Sequence, residues 1–509
     1  MIRESMTHAA AGVEDLRLKY PGEESFIFKD LSLSIRCGEK LLLLGPSGCG
    51  KSTLLQVLSG MIPSLIEIPM RCSAHVVPNS WGILFQDPDA QFCMPYVDEE
   101  LAFVLENWQV PREEMHMRIQ TAVQRVGLML EDMHVPISSL SQGMKQRLAL
   151  ASILLLDPEV LLLDEPSALL DPEGRRQIWQ AVKQVSDGRT LIIVEHRIEE
   201  LLEMELVDRV ALFAPDGRLL RIGAPEEIFV RFKQELMDYG IWYPGVWEEF
   251  HALRSKGELE HPAMSEERSI DDRQQQMRLK KEEPLLRLSG FQGIRQGRTV
   301  ISVEHAEVYP GDFIAVTGPN GAGKSSFLLS LIGLLPTAGE YLLCGKAMHG
   351  KKKLKHRVAS AAQQIGFVFQ NPELQFVENR VDKEAGYSLK EQGMAREEIS
   401  ERVAHILAGF GLSGLEQRHP YQLSLGQKRR LSVAGAVIQN KPILLLDEPT
   451  FGQDAVNTFS ILSICEELRR RGTAIIMVTH EEQISGQIAT RRWEISGGTL
   501  LERGKRVIG

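Results

Sequence analysis

Short runs that are apolar at every position, rather than alternating with polar residues, punctuate this chain. In the first half they are Leu41-Leu42-Leu43-Leu44, Val160-Leu161-Leu162-Leu163 and Leu191-Ile192-Ile193-Val194. The second half carries Phe313-Ile314-Ala315-Val316, Ile443-Leu444-Leu445-Leu446 and Ala474-Ile475-Ile476-Met477-Val478. Strands apolar on both faces belong inside a parallel sheet covered by helices. Helical stretches follow at residues 52–58 and 325–332, and again at 144–154 and 428–437. Each half is therefore predicted to be an α/β domain, with a mainly parallel core sheet and ligand sites at the C-terminal ends of its strands.

Each of these strands runs directly into polar chemistry. The first run ends in Gly45-Pro46-Ser47-Gly48-Cys49-Gly50-Lys51-Ser52-Thr53, and its counterpart in Gly318-Pro319-Asn320-Gly321-Ala322-Gly323-Lys324-Ser325-Ser326. A glutamine follows a phenylalanine at Gln86 and at Gln370. Then come Leu140-Ser141-Gln142-Gly143 and Leu423-Ser424-Leu425-Gly426-Gln427, Leu163-Asp164-Glu165-Pro166 and Leu446-Asp447-Glu448-Pro449, and finally His196 and His480. The serines (424 − 141) and the glutamates (448 − 165) each stand 283 positions apart, so the chain is an internal duplication. The loop lysines are only 273 apart (324 − 51), which places an insertion of about ten residues in the second half; the lysine-rich stretch 346–355 is the place for it.

Glycines let successive backbone N–H groups curl around phosphate oxygens, and the helix behind them points its positive end at the same charge. Lys51 and Lys324 add a full positive charge, and Ser52 and Ser325 offer hydroxyls to Mg²⁺. A glycine-rich turn that binds nothing is the plain alternative, and its recurrence in matching contexts argues against it. Asp164 and Asp447 end apolar strands where a carboxylate can hold the water shell of Mg²⁺. Glu165 and Glu448 beside them are placed to polarise an attacking water. Capping of a following helix is the plain alternative for such a pair, and its recurrence beside a proline in both halves argues against it. His196 and His480 stand where an imidazole can meet a γ-phosphate, and Gln86 and Gln370 complete the polar set.

The 509 residues thus divide into a first domain at 12–250, a charged stretch at 251–284 and a second domain at 285–509. The middle stretch holds seven Lys or Arg and eight Asp or Glu, which reads as a solvated linker or one exposed helix. A net charge of −10 argues against a nucleic-acid binder built on a broad basic face. Cys37, Cys49, Cys72, Cys93, Cys344 and Cys465 follow no metal or disulfide spacing, which fits a reducing compartment. The first residues lack the apolar core of a signal peptide, and no apolar run is long enough to span a bilayer. These features point to a chain that is cytosolic or peripheral to a membrane.

The glycine loop, Gln86, Leu-Ser-Gln-Gly-Met, Leu-Leu-Leu-Asp-Glu-Pro and His196, in this order, closely resemble the ATPase domains of ABC transporters. The resemblance covers nearly the whole chain outside 251–284. It implies two tandem phosphate-loop ATPase domains, each with an antiparallel β part and a helical subdomain carrying the signature. It also implies head-to-tail pairing, with ATP sandwiched between one half's glycine loop and the other half's signature. One site would then join Gly45, Ser47, Gly48, Gly50, Lys51, Ser52, Thr53, Gln86, Asp164, Glu165 and His196 to Ser424, Gly426 and Gln427. The other would join Gly318, Asn320, Gly321, Gly323, Lys324, Ser325, Ser326, Gln370, Asp447, Glu448 and His480 to Ser141 and Gly143. Mg²⁺ would be held by Ser52, Gln86 and Asp164 in one, and by Ser325, Gln370 and Asp447 in the other. Tyr20 stands where the family stacks an aromatic on adenine; Phe291 is the best counterpart in the second half, although Gly290 and Gln292 disturb the alignment and a surface or core phenylalanine is the alternative. Asp171 and Asp454 occupy the position that couples the two sites in the family, though either also suits a helix N-cap. The first signature departs from the family by Gln142 and Met144, the second by Leu425. Both serines and both second glycines remain, so two hydrolytic sites are predicted, equal or unequal in rate.

Gln86-Asp87-Pro88-Asp89-Ala90-Gln91-Phe92 and Gln370-Asn371-Pro372-Glu373-Leu374-Gln375-Phe376 resemble the corresponding segments of energy-coupling-factor importers. That class takes up vitamins or transition metal ions through two ATPases, an integral membrane coupling subunit and a small substrate-capturing membrane protein. The resemblance implies attachment at the cytoplasmic face of a cell membrane, with fused examples assigned to thiamine or its hydroxymethylpyrimidine precursor. Two alternatives are a monosaccharide-type importer ATPase and a soluble tandem ABC protein acting on ribosomes. The first tends to lose active-site residues in its second half, whereas Lys324, Glu448 and His480 are present here; the second carries a longer, basic helical linker.

Overall fold

The computed structural model describes residues 9–23, 25–168, 170–256, 283–348 and 353–505. They form two compact units, one drawn essentially from residues up to Pro244 and one from Gly245 onward. In the first, the apolar runs become the strands Lys40–Leu44, Val160–Asp164 and Thr190–Val194. They sit in a six-stranded sheet ordered Leu219–Gly223, Arg209–Phe213, Lys40–Leu44, Thr190–Val194, Val160–Asp164, Trp81–Leu84. All pairings are parallel except the outermost, between Leu219–Gly223 and Arg209–Phe213. Leu41, Leu42, Leu161, Leu162, Ile192 and Ile193 are fully buried, as a sheet covered on both faces requires. A separate antiparallel layer pairs Ala9–Leu18 with Phe28–Arg36, and with Met70–Arg71 and Ala74–Val76 on its other edge. Its inward residues join the helix Lys51–Leu58 in one core that holds Leu16, Phe28, Leu54 and Phe213.

In the second unit the same parallel order runs Arg491–Ser496, Phe313–Thr317, Ala474–Val478, Ile443–Asp447, Ile365–Val368. Here the antiparallel strands Leu286–Arg295 and Arg298–Val308 belong to the same ten-stranded sheet, joined through a parallel bridge from Ser302 to Thr499. The insertion appears as the strand Lys346–Ala347 and the helix Leu354–Ala362, between the glycine-loop helix and the strand before Gln370. The helical parts are Val97–Asn107, Arg112–Arg125 and Gln142–Leu154 in one unit, and Val381–Glu391, Arg396–Gly409 and Leu425–Val437 in the other.

Part of the charged middle stretch is structured. Helix Val246–Lys256 packs on helix Ala455–Arg470, with Phe250 stacked on Phe459 at 4.4 Å and Trp247 edge-on to it at 5.1 Å. Arg254 reaches Glu466 at 3.2 Å and donates to the carbonyls of Gln487 and Ile488. Residues 257–282, where the linker was read, lie outside the described residues.

Candidate functional site

In each unit the loop after the central strand is fixed by its glycines. Gly50 caps the helix Lys51–Leu58 with φ 99°, and Gly323 caps Lys324–Leu331 with φ 106°, a left-handed conformation that suits glycine. A Cβ on Gly50 would stand 2.6 Å from Ile27 Cγ2, and one on Gly318 2.1 Å from the carbonyl oxygen of Ile495. The lysines fold back over the loop: Lys51 Nζ donates to the carbonyls of Gly45 (2.7 Å) and Pro46 (3.0 Å), and Lys324 Nζ to those of Gly318 (2.8 Å) and Pro319 (3.0 Å). Ser47, Gly48, Asn320 and Gly321 lie along the same turns, and Thr53 and Ser326 on the first turn of each helix. Tyr20 is tied to that turn, with its hydroxyl 3.0 Å from Thr53 Oγ1. Phe291 does not match it. It is fully buried, edge-on to Tyr341 at 5.7 Å, and presents no ring face to a base. An apolar core position in the strand Leu286–Arg295 has claimed it.

The neighbouring strand ends bring up the carboxylates. Burial pushes Asp164 up to about 6, opposed by its hydrogen bond to Ser52. Asp447 is likewise raised to about 6 by burial, opposed by Ser325. The adjacent glutamates go the other way: although burial raises them, His196 and Lys51 hold Glu165 below the usual carboxylate range, and His480 and Lys324 do so for Glu448. Both are therefore ionised near neutrality. Glu165 sits at φ 48° and Glu448 at φ 50°, so each carboxylate leaves the strand line at a strained turn. His196 Nε2 stands 3.2 Å from Glu165 Oε1, and His480 Nε2 3.2 Å from Glu448 Oε1. Gln86 Nε2 donates to Glu165 Oε2 at 2.9 Å, and Gln370 Nε2 to Glu448 Oε2 at 3.2 Å. Lysine, serine, aspartate, glutamate, glutamine and histidine thus converge twice, in two near-identical constellations.

The signature residues stand at helix starts rather than in those constellations. Ser141 caps Gln142–Leu154 and accepts from the N–H of Met144 at 3.3 Å. Ser424 caps Leu425–Val437 in a reciprocal box with Gln427, whose Oε1 accepts from the serine N–H at 3.0 Å. Met144 cannot return that bond, so the first helix has half a box. Both serines are exposed, and a Cβ built on Gly143 or Gly426 would meet its nearest atoms at ordinary contact distance, 3.8 and 3.5 Å. Asp171 is a helix N-cap, accepting from Gly174 N–H at 2.8 Å.

Several polar partners escaped the sequence reading. Lys145 pairs with Asp89 at 2.7 Å and Lys428 with Glu373 at 2.5 Å, fastening the segment after each glutamine to the signature helix. Glu100 accepts from the N–H groups of Cys93 and Met94, and Glu384 from those of Val377 and Glu378. Buried Arg429 donates to the carbonyls of Glu448 and Gln370, where the first unit has Gln146 bonded to the Gln86 carbonyl. Glu195, beside His196, is also buried. The shared offset of about 283 was the signal for the lysine and acid pairs; Glu195 and Arg429 break the repeat and gave none.

A divalent cation fits these residues: Asp447 Oδ1 is buried with no hydrogen-bond partner, burial disfavours its charged form, and the Ser325 hydroxyl beside it offers a second hard oxygen.

A glycine loop between a parallel strand and a helix, an acid pair on the adjacent strand and a histidine on the next define a phosphate-loop nucleotide-binding domain, here present twice. Residues 28–168 and 304–451 match the ABC transporter family, and the chain belongs to it. It is an ATP-binding protein and an ATPase of that family. It is 34% identical over 94% of its length, and 88% of the relative's, to a candidate HMP/thiamine import ATP-binding protein of Bacillus subtilis (strain 168). A candidate ABC transporter ATP-binding protein of Methanosarcina acetivorans is 33% identical over 94% of this chain and 83% of its own. Among solved structures, an archaeal ribosome recycling factor, aABCE1, in complex with the ribosomal stalk protein aP1 covers 96% of this chain and 89% of its own, with a TM-score of 0.60 at 19% identity. That likeness is one of fold.

Proposed function

We propose that this chain is the ATP-hydrolysing subunit of an energy-coupling-factor importer, working at the cytoplasmic face of a membrane on a vitamin such as thiamine or its hydroxymethylpyrimidine precursor, or on a transition metal ion. The observation that carries the reading is the retention of the full constellation in both halves of a chain that aligns over 94% of its length with a relative named as an import ATP-binding protein. Two intact constellations favour the energy-coupling class over the monosaccharide-type fused importer, whose second half tends to lose active-site residues.

In the proposed mechanism each loop lysine meets phosphate charge at the N-terminus of its helix, which adds backbone N–H donors and a favourable dipole. Ser52, Asp164 and Gln86 in the first half, and Ser325, Asp447 and Gln370 in the second, would hold Mg²⁺, which when bound would supply positive charge to offset that of the phosphates. Glu165 and Glu448, ionised and aimed by their glutamine and histidine, accept the proton of the attacking water. His196 and His480 share the developing charge. Hydrolysis here is positioning plus charge stabilisation. Ser141 and Ser424, exposed at helix starts, complete the opposite half's site in a head-to-tail pair, so closure depends on ATP. Tyr20 stacks on adenine in the first site.

Motion passes to the membrane subunit through the segments after Gln86 and Gln370, because their ion pairs make them move with the signature helices. Beside the first lies a groove of about 440 Å³ lined by Trp81, Phe85, Phe103, Val104 and Trp108. Trp108 is exposed there, as are Leu374 and Val377 after Gln370, which suits an apolar helix of a partner. Among the described residues no helix is long and apolar enough to cross a membrane. The test is to tag the chain, purify it from membranes in mild detergent and identify what accompanies it by mass. Two small polytopic proteins, one carrying a vitamin or metal, are expected; ribosomal proteins in their place would overturn the reading.

A further inference from the structure

The two constellations differ at one buried position behind the histidine. Glu195, only 3% exposed, follows the strand Thr190–Val194 and directly precedes His196. Its Oε1 accepts from the N–H groups of His196 (2.8 Å) and Arg197 (3.2 Å), and its Oε2 from Ser167 Oγ at 2.6 Å. Ser167 is itself buried and stands two residues after Glu165. Two links therefore join the turn of the glutamate to the turn of the histidine: the Glu165–His196 contact on the open side and the Ser167–Glu195 bond behind it.

Of these two side-chain links, the second unit shows only the first among the described residues, although a backbone bond from Glu448 N–H to the Val478 carbonyl joins the same turns, as Glu165 to Val194 does in the first. Thr450 and Thr479 occupy the equivalent places, both buried. Thr479 Oγ1 accepts from the N–H of Glu481 at 3.0 Å, and no hydrogen bond joins the two threonines among the described residues. The same backbone turns there form without a carboxyl, so Glu195 is not needed simply to make the turn. A buried carboxyl beside the ionised Glu165 is also electrostatically unfavourable, since burial and Glu165 both raise its pKa. A group that costs stability and is dispensable in the sister domain is accounted for by what it positions.

We propose that Glu195 is a positioning residue for the Glu165–His196 pair, clamping the histidine turn to Ser167 so that the imidazole is held at the glutamate in the first half alone. The clamp acts on the proton-accepting pair and not on the phosphate loop, so its loss affects turnover rather than nucleotide binding. It makes the two ATP sites unequal by construction. The inference rests on the roles proposed for Glu165 and His196.

The test is steady-state ATP hydrolysis by the full chain carrying Glu195→Ala, Glu195→Gln or Ser167→Ala, with Glu165→Gln as the reference. The alanine variant at Glu195 is expected to lose at least about two thirds of the turnover that Glu165→Gln loses, with KM for ATP within about twofold of the native value. The glutamine variant keeps an acceptor for both N–H groups and a donor for Ser167, and is expected to restore at least about half of that loss. Ser167→Ala cuts the clamp from its other end and should lower kcat in the same sense, which covers the case in which Glu195→Ala does not fold. Native turnover in Ser167→Ala or Glu195→Ala, while Glu165→Gln is impaired, would overturn the clamp; native turnover in Glu165→Gln would instead overturn the reading of the pair beneath it.

Discussion

Asp447 shows how a single residue at this site trades stability for chemistry. Its carboxyl is 4% exposed, and burial lifts it to about 6 despite the Ser325 hydroxyl. Because the folded pKa stands above the ordinary carboxylate value, the folded chain holds that proton more tightly than the unfolded one does. The cost of the bare charge is absent below about pH 4 and complete above about pH 6. Asp447→Asn should accordingly stabilise the nucleotide-free second unit by on the order of 1 kcal/mol at pH 8, with the gain vanishing toward pH 4. The same variant should lose ATP turnover by at least about tenfold. Thermal unfolding at the two pH values, beside a hydrolysis assay, checks both; an unchanged or lowered Tm at pH 8 would contradict the electrostatic account. The reactive residues were legible because each stands at the end of an apolar strand and recurs. Phe291 was misread for a physical reason: an aromatic near a strand end serves a core and a nucleobase equally well on paper, and only its 0% exposure decides.

At the scale of elements, the signature helices differ in how well their first turns are satisfied. Ser424 and Gln427 exchange bonds, whereas Met144 leaves Ser141 with one. Met144→Gln should complete the box and stabilise the first helix by about 0.5 kcal/mol, and Ser424→Ala should cost about 1 kcal/mol in the second. Urea unfolding of the paired variants measures this; equal and negligible shifts would mean that tertiary packing alone holds both helix starts. The caps, the core strands and the insertion near residue 346 could be read from residue order. The packing of helix Val246–Lys256 could not, because its partners Phe459 and Glu466 lie some two hundred positions away. The ion pairs Lys145–Asp89 and Lys428–Glu373 join residues more than fifty positions apart, and the recurrence of both partners at the repeat offset was the one trace of them in the sequence.

For the whole molecule, duplication supplies an internal control that a single domain lacks. Two units fold the same chemistry on parallel sheets of the same strand order, yet one holds Glu195 and the other Arg429 behind the reactive pair. An importer reading needs both sites to bind ATP and at least one to turn it over. The most direct measurement is therefore ATP hydrolysis and ATP retention by the chain carrying Glu165→Gln together with Glu448→Gln. The account predicts turnover reduced at least about a hundredfold with intact ATP retained on the purified protein, about two per chain. Hydrolysis at the native rate in that double variant would contradict it.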